Sequence, residues 1–148
     1  MTKHLAEVII YFPSVLATGL LIFVAGAIQG VMNDYDEAGF QHFLRLLHKH
    51  ATRSPFAVIT ASFLFVGCIP YFIFYGFGNW WFTAGIILFW LASIASKSFN
   101  LPIYNRIFAF ESTDTVRLRE ERKKLQTANM IRAAIQFISV VLLTIGII

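Results

Sequence analysis

Three stretches of this chain, Val8–Asn33 (26 residues), Ser54–Ser96 (43 residues) and Ala133–Ile148 (16 residues), contain no Asp, Glu, Lys, Arg or His. About 20 apolar residues cross the hydrocarbon of a bilayer as one helix. The first run is therefore one span and the middle run two. The last becomes a fourth once the few residues before it are added. A soluble domain of 148 residues has one core of moderate size and could not hide so much Phe, Leu and Ile. The chain is 57% hydrophobic and 14% charged, against about 45–50% and about 25% for soluble domains. The expectation is an all-α fold, an integral membrane four-helix transmembrane bundle forming a single domain over residues 1–148. The spans are Leu5–Met32, Pro55–Phe77, Asn79–Phe99 and Ala128–Ile148.

Gly76-Phe77-Gly78-Asn79 makes a tight turn between the second and third spans, followed by Trp80 and Trp81 at interfacial depth. Pro13 and Pro70 lie inside spans, where neighbouring groups recover the freed carbonyls. Two long connections, Asn33–Arg53 and Asn100–Thr127, fall on the same side of the membrane because two spans separate them. They hold nine Lys and Arg residues, whereas the opposite side has only Lys3. The positive-inside bias puts loops 33–53 and 100–127 in the cytoplasm and both termini on the extracytoplasmic side. The net charge of +4 is explained by this topology, so no nucleic-acid partner is expected; the bilayer is. Cys68 is the one cysteine, which excludes a disulfide framework. Ala25-Gly26-Ala27 imitates a cleavage site, but the apolar stretch before it is too long for a signal peptide.

Both loops carry helical patterns. Phe40, Phe43, Leu44 and Leu47 recur at i, i+3, i+4 and i+7, opposite Gln41, His42, Arg45, His48 and Lys49. That pattern predicts an amphipathic loop helix lying in the interfacial headgroup region. Ser112 or Thr113 is the expected cap of a second helix over Thr115–Gln126 that leads into the fourth span.

Polar side chains inside a membrane are costly and mark bundle interiors or sites. The first span shows a stripe of Glu7, Tyr11, Ser14, Thr18, Ala25, Gln29 and Asn33, next to small residues Gly19, Gly26 and Gly30. Gly26-x-x-x-Gly30 is the spacing that lets helices, including those of a homo-oligomer, approach closely. The third span contributes Trp90, Ser93, Ser96, Lys97 and Asn100, and the fourth Asn129, Arg132, Gln136 and Ser139. With alternating span directions, Gln29, Asn33, Lys97, Asn100, Asn105, Asn129 and Arg132 approach one level of the bundle. An arginine there clamps a carboxylate or phenolate, and amides donate or accept as a ligand requires. A second locus at the other end involves Glu7 and Tyr11 with either Tyr71 or Tyr75, and Glu7 is expected to be wetted because it lies close to the helix end. No metal site is expected: His48-x-His50 cannot put both rings on one helix face, and no His pair is spaced i, i+4 in the first loop.

The segment Asn100-Leu101-Pro102-Ile103-Tyr104-Asn105-Arg106-Ile107 resembles the Asn-x-Pro-hydrophobic-Asn-Asn segment of the anthrone oxygenase-like family of small four-helix membrane proteins. Ala128-Asn129-Met130-Ile131-Arg132 is similar to that family's Trp-Asn-His-hydrophobic-Arg. Tyr104 stands where the first paired asparagine usually is, and Met130 where histidine is common. The resemblance implies cofactor-independent oxidation of a hydrophobic aromatic substrate by O₂ in an intramembrane pocket. Arg132 would face the developing phenolate, Tyr104 would relay a proton, and Asn100, Asn105 and Asn129 would orient the substrate, with Gln29, Asn33 and Gln136 as further binding groups. The alternative is a non-catalytic membrane protein that binds a lipid, a small hydrophobe or a protein partner. Neither reading calls for a cofactor.

Overall fold

A computed structural model describes residues 2–148 and, within them, every side chain except those at 61 and 63. The chain is 90% helical, with no strand among the described residues. Five helices follow one another: α1 (Lys3–Asp34), α2 (Glu37–Arg53), α3 (Pro55–Tyr75), α4 (Trp80–Ala109) and α5 (Thr115–Ile147). All but α2 are long and apolar enough to cross a membrane. Only a fifth to a third of the residues in their most apolar stretches are buried. Side chains such as Phe12, Phe74 and Ile138 face outward instead, the pattern of a surface that meets lipid rather than water.

Each helix starts where a short polar side chain accepts a hydrogen bond from an orphan backbone N–H. Thr2, Asp36, Ser54, Asn79 and Asp114 accept from the amides of Leu5, Gly39, Ala57, Phe82 and Arg117 respectively. The cap of α5 is thus Asp114, a residue later than expected, because its carboxylate reaches the third amide onward at 3.3 Å. Gly76 ends α3 with φ +66, a conformation an L side chain rarely adopts. The third and fourth spans are not separate from the loop that joins them. Helix α4 runs past Phe99 and through Pro102 to Ala109, and α5 is continuous from Thr115, so the connection shrinks to 110–114. Proline removes one N–H from α4, but Ile103 and Ile107 beyond it are buried at 7% and 0% exposure, and that packing carries the helix on.

Two cores result. At the end bearing the termini, Ile10 of α1, Cys68 and Tyr71 of α3, Phe82 and Ile86 of α4 and Leu143 of α5 pack together. At the loop end, Met32, Phe40, Leu44, Ile107, Leu118 and Leu125 form the second core. The apolar stripe of α2 is therefore spent on the protein: Phe40 and Leu44 are 0% and 1% exposed, where the periodicity alone suggested a helix resting on headgroups. Helix α5 packs along α4 and against α1, while α3 packs on α1. Between α3 and α4 the spacing is set by rings: Phe65 stacks on Trp90 at 6.1 Å, and Tyr71 meets Phe82 at 5.1 Å.

Glycine positions also sort differently from expectation. A Cβ added at Gly85 would lie 2.7 Å from Leu143 Cγ, and one at Gly146 2.6 Å from the Phe82 backbone nitrogen. These two let α4 and α5 touch. Gly19, Gly26 and Gly30 have nothing within 4 Å of such a Cβ, so their face is open, and the turn Val24–Ile28 that contains Gly26 is widened to π-helical form.

Candidate functional site: a cleft between α4 and α5

The loop end is a scaffold of tied carbonyls and paired charges. Gln41 of α2 donates to the Ile107 and Phe110 carbonyls at 2.6 and 2.8 Å, and Arg45 donates to the Phe108 carbonyl at 3.1 Å. These are orphan acceptors at the C-terminus of α4, so α2 acts as its cap. Glu37, 7% exposed, accepts from Arg119 at 2.9 Å and pairs with Arg122. Arg122 in turn lies 4.3 Å from the centre of the Phe40 ring and donates to the Tyr35 and Asp36 carbonyls. Glu121, 5% exposed, takes Arg106 of α4 at 2.8 Å and Lys124 at 2.7 Å. Burial alone would push the Glu121 carboxyl up, but hydrogen bonds from Arg106 and Lys124, with their charges, outweigh it and hold the group below its ordinary value.

Above this scaffold a cleft of about 610 Å³ lies between α4 and α5. Ala92, Ala95, Phe99 and Ile103 form one wall, and Ala128, Ile131 and Ile135 the other. Asn100 and Arg132 enter it from the two helices, with Lys123, Lys124 and Thr127 toward the loop end. Asn100 donates to the Asn129 side-chain oxygen at 2.9 Å, fixing the two helices at this level. Arg132 has a buried Nε with no acceptor, and no ion pair among the described residues. Its interaction is with Tyr104, at Coulombic range. The lining holds no carboxylate, imidazole or thiol. A guanidinium free of a counter-ion in an apolar wall is built to take an oxyanion.

The structure brings Asn100, Asn129 and Arg132 together, with Tyr104 near Arg132 but outside the cleft lining, and leaves Asn105, Gln29, Asn33 and Gln136 apart. Tyr104 packs on the rings of His48 and Phe108, 5.1 and 6.1 Å away, and does not line the cleft. Asn105 is exposed on the outside of α4. Gln29 is 1% exposed and donates to Asn33 at 3.0 Å along α1. Gln136, also 1% exposed, reaches Ser93 of α4 at 3.5 Å. The remaining oxygens of Gln29 and Gln136, like the Thr18 hydroxyl and the Trp90 N–H, have no partner among the described residues.

At the opposite end Glu7 is not wetted but 5% exposed. Its carboxylate accepts from the Tyr71 hydroxyl and from Asn79 Nδ2, both at 2.9 Å, with Lys3 at 3.8 Å. Asn79 Nδ2 also donates to the Gly146 carbonyl at 2.7 Å. Glu7 and Asn79 thus join α1, α3, the cap of α4 and the end of α5. The Thr144 hydroxyl donates to the Tyr11 oxygen at 3.1 Å nearby. Asn79, Gln41 and the buried pairing of Glu37 and Glu121 had no signal in local sequence pattern. Asn79 reads as a turn residue and Gln41 as part of a solvated face. Compared with family models, curated proteins and solved structures, the chain finds no match.

Proposed function

We propose that this chain is an integral membrane protein that binds a lipid-like or other small hydrophobic molecule in the cleft between α4 and α5, without turning it over. The observation that carries the reading is the cleft: about 610 Å³, within the range of about 300–1,000 Å³ typical of ligand sites, with walls of alanine, isoleucine and phenylalanine. It lies between two helices apolar enough to be embedded, so a hydrophobe enters sideways from the bilayer. The loop end, with its nine Lys and Arg residues, faces the cytoplasm in this reading and the termini face outward.

The oxygenase expectation uses the same cleft, with Arg132 toward a phenolate. It needs Tyr104 and Asn105 at the substrate and an acceptor for the substrate's proton. Tyr104 packs on His48, Asn105 is exposed, and the lining has no carboxylate or imidazole. Binding is therefore the better supported of the two.

The test uses the purified protein in phosphatidylcholine nanodiscs and a neutral photoactivatable long-chain alcohol. Labelling concentrates on peptides containing residues 92–103 and 127–135, and Ala95→Trp, which fills the cleft, removes it. Labelling spread evenly over every exposed apolar face, and indifferent to Ala95→Trp, overturns the proposal.

A further inference from the structure

Apolar walls do not account for the cations along the cleft. At the loop end both buried carboxylates are already taken, Glu37 by Arg119 and Arg122, and Glu121 by Arg106 and Lys124. Arg132 is left with a buried Nε and no counter-ion, an expensive state for a charge in apolar surroundings. Lys123, also on the cleft, is exposed and has no acidic partner among the described residues. Lys124 is held by Glu121, so the free lysine is Lys123, nine helical positions from Arg132 or about 14 Å of rise, a gap that long side chains and a headgroup between them span. Asn100 lines the interval, and its amide has a second N–H beyond the one given to Asn129.

Resting on the binding reading above, we infer that the occupant is an acidic amphiphile with a phosphate headgroup. The phosphate sits between Arg132 and Lys123, and the acyl chain lies along Ala95 and Ile135. Arginine holds phosphate through parallel N–H bonds, and lysine adds a point charge. A phosphate suits this arrangement better than a carboxylate because cations approach it from two sides. The chain follows the apolar wall away from the loop end, the direction in which the lining loses its charged groups.

The experiment compares photoactivatable phosphatidic acid, phosphatidylcholine and a free fatty acid on the protein in nanodiscs, with inorganic phosphate as competitor. Phosphatidic acid is expected to label the cleft peptides about tenfold more than phosphatidylcholine, the equivalent of about 1.4 kcal/mol, and inorganic phosphate does not compete. Arg132→Gln brings phosphatidic acid down to the phosphatidylcholine level, Lys123→Gln lowers it by about half that advantage, and Arg132→Lys restores most of it. Arg132 Nε has no hydrogen-bond partner among the described residues, so these variants are expected to fold, and unchanged thermal unfolding in detergent verifies that. Equal labelling by both phospholipids, unaffected by Arg132→Gln, overturns the phosphate assignment while leaving the hydrophobe site standing. Preference for the fatty acid also overturns it, as does competition by inorganic phosphate alone, which would mean an anion site without a lipid. Loss of all three labels in wild type, with the neutral alcohol lost too, overturns the binding reading itself.

Discussion

Asn79→Ala tests whether one amide joins the terminal ends of the long helices. Its side-chain oxygen accepts from the Phe82 amide at 3.3 Å as the cap of α4. Its Nδ2 donates to Glu7 of α1 at 2.9 Å and to the Gly146 carbonyl of α5 at 2.7 Å. Losing an N-cap costs about 1 kcal/mol. Interhelical hydrogen bonds in membranes average about 0.6 kcal/mol and reach about 1.7, and the bond to a carboxylate belongs near the upper figure, because hydrogen bonds to charged groups run about 1.5–3 kcal/mol. The whole is about 3 kcal/mol. Glu7→Gln costs less, about 1 kcal/mol, since an amide oxygen still accepts from Tyr71 and Asn79 while only the charge is gone. Reversible unfolding in mixed micelles measures both, and a double-mutant cycle between them isolates their coupling. A cost for Asn79→Ala no larger than the cap alone, with zero coupling to Glu7→Gln, would refute the idea that Glu7 and Asn79 act as one junction.

Gly146→Ala and Gly85→Ala push a methyl group to 2.6–2.7 Å from the facing helix and are expected to lower stability by about 2 kcal/mol or more, whereas Gly26→Ala and Gly30→Ala, with open space around them, leave it unchanged or raise it by up to about 1 kcal/mol. The same micelle assay reads all four, and a large loss at Gly26 would mean that its face is covered by a second copy. The Glu121 clamp gives a pH dependence: its carboxyl sits below its ordinary value, so its stabilisation is present above the ordinary carboxylate range and is lost as pH falls through the depressed value. Hydrogen exchange of the 103–110 peptides should therefore rise at acid pH, and Glu121→Gln should flatten that rise; an unchanged profile in the variant would sink the assignment. Gln41→Leu frees two carbonyls at the end of α4 and is expected to cost about 1–3 kcal/mol, read as faster exchange confined to residues 104–110; no local change would mean that α2 is not the cap.

How far the sequence reveals this molecule depends on range. The four helices able to cross a membrane are legible because hydropathy is a local property, and the missing charges leave little freedom. Asn100, Asn129 and Arg132 are legible as well, since each is a polar side chain that a helical period places on one side of an apolar span. Glu7 is not. Its partners Tyr71 and Asn79 stand 64 and 72 positions away, so nothing near it in the chain distinguishes a buried junction from a wetted helix end. The same reason hides the role of α2. Its period correctly marks an apolar face, but only the long-range packing of Ile107, Leu118 and Leu125 decides that this face meets protein. The extension of α4 through Pro102 is set by that same packing, against the local preference of proline.

A helix of 30 residues is about 45 Å long, and the hydrocarbon of a typical bilayer about 30 Å thick. Helices α4 and α5, with 30 and 33 residues, are longer than that thickness, so in a bilayer they would either project or tilt. Both run as single helices past that length, although Pro102 withholds one N–H from the ladder of α4. The ion pairs of Glu37 and Glu121 lie at the loop end, where a projecting end would let water moderate the desolvation that lipid would impose. In a thinner or thicker bilayer the packing of Ile103 and Ile107 beyond Pro102 would hold α4 against α5, so the pair would answer by tilting as a whole, carrying the cleft and its cations to a new depth together.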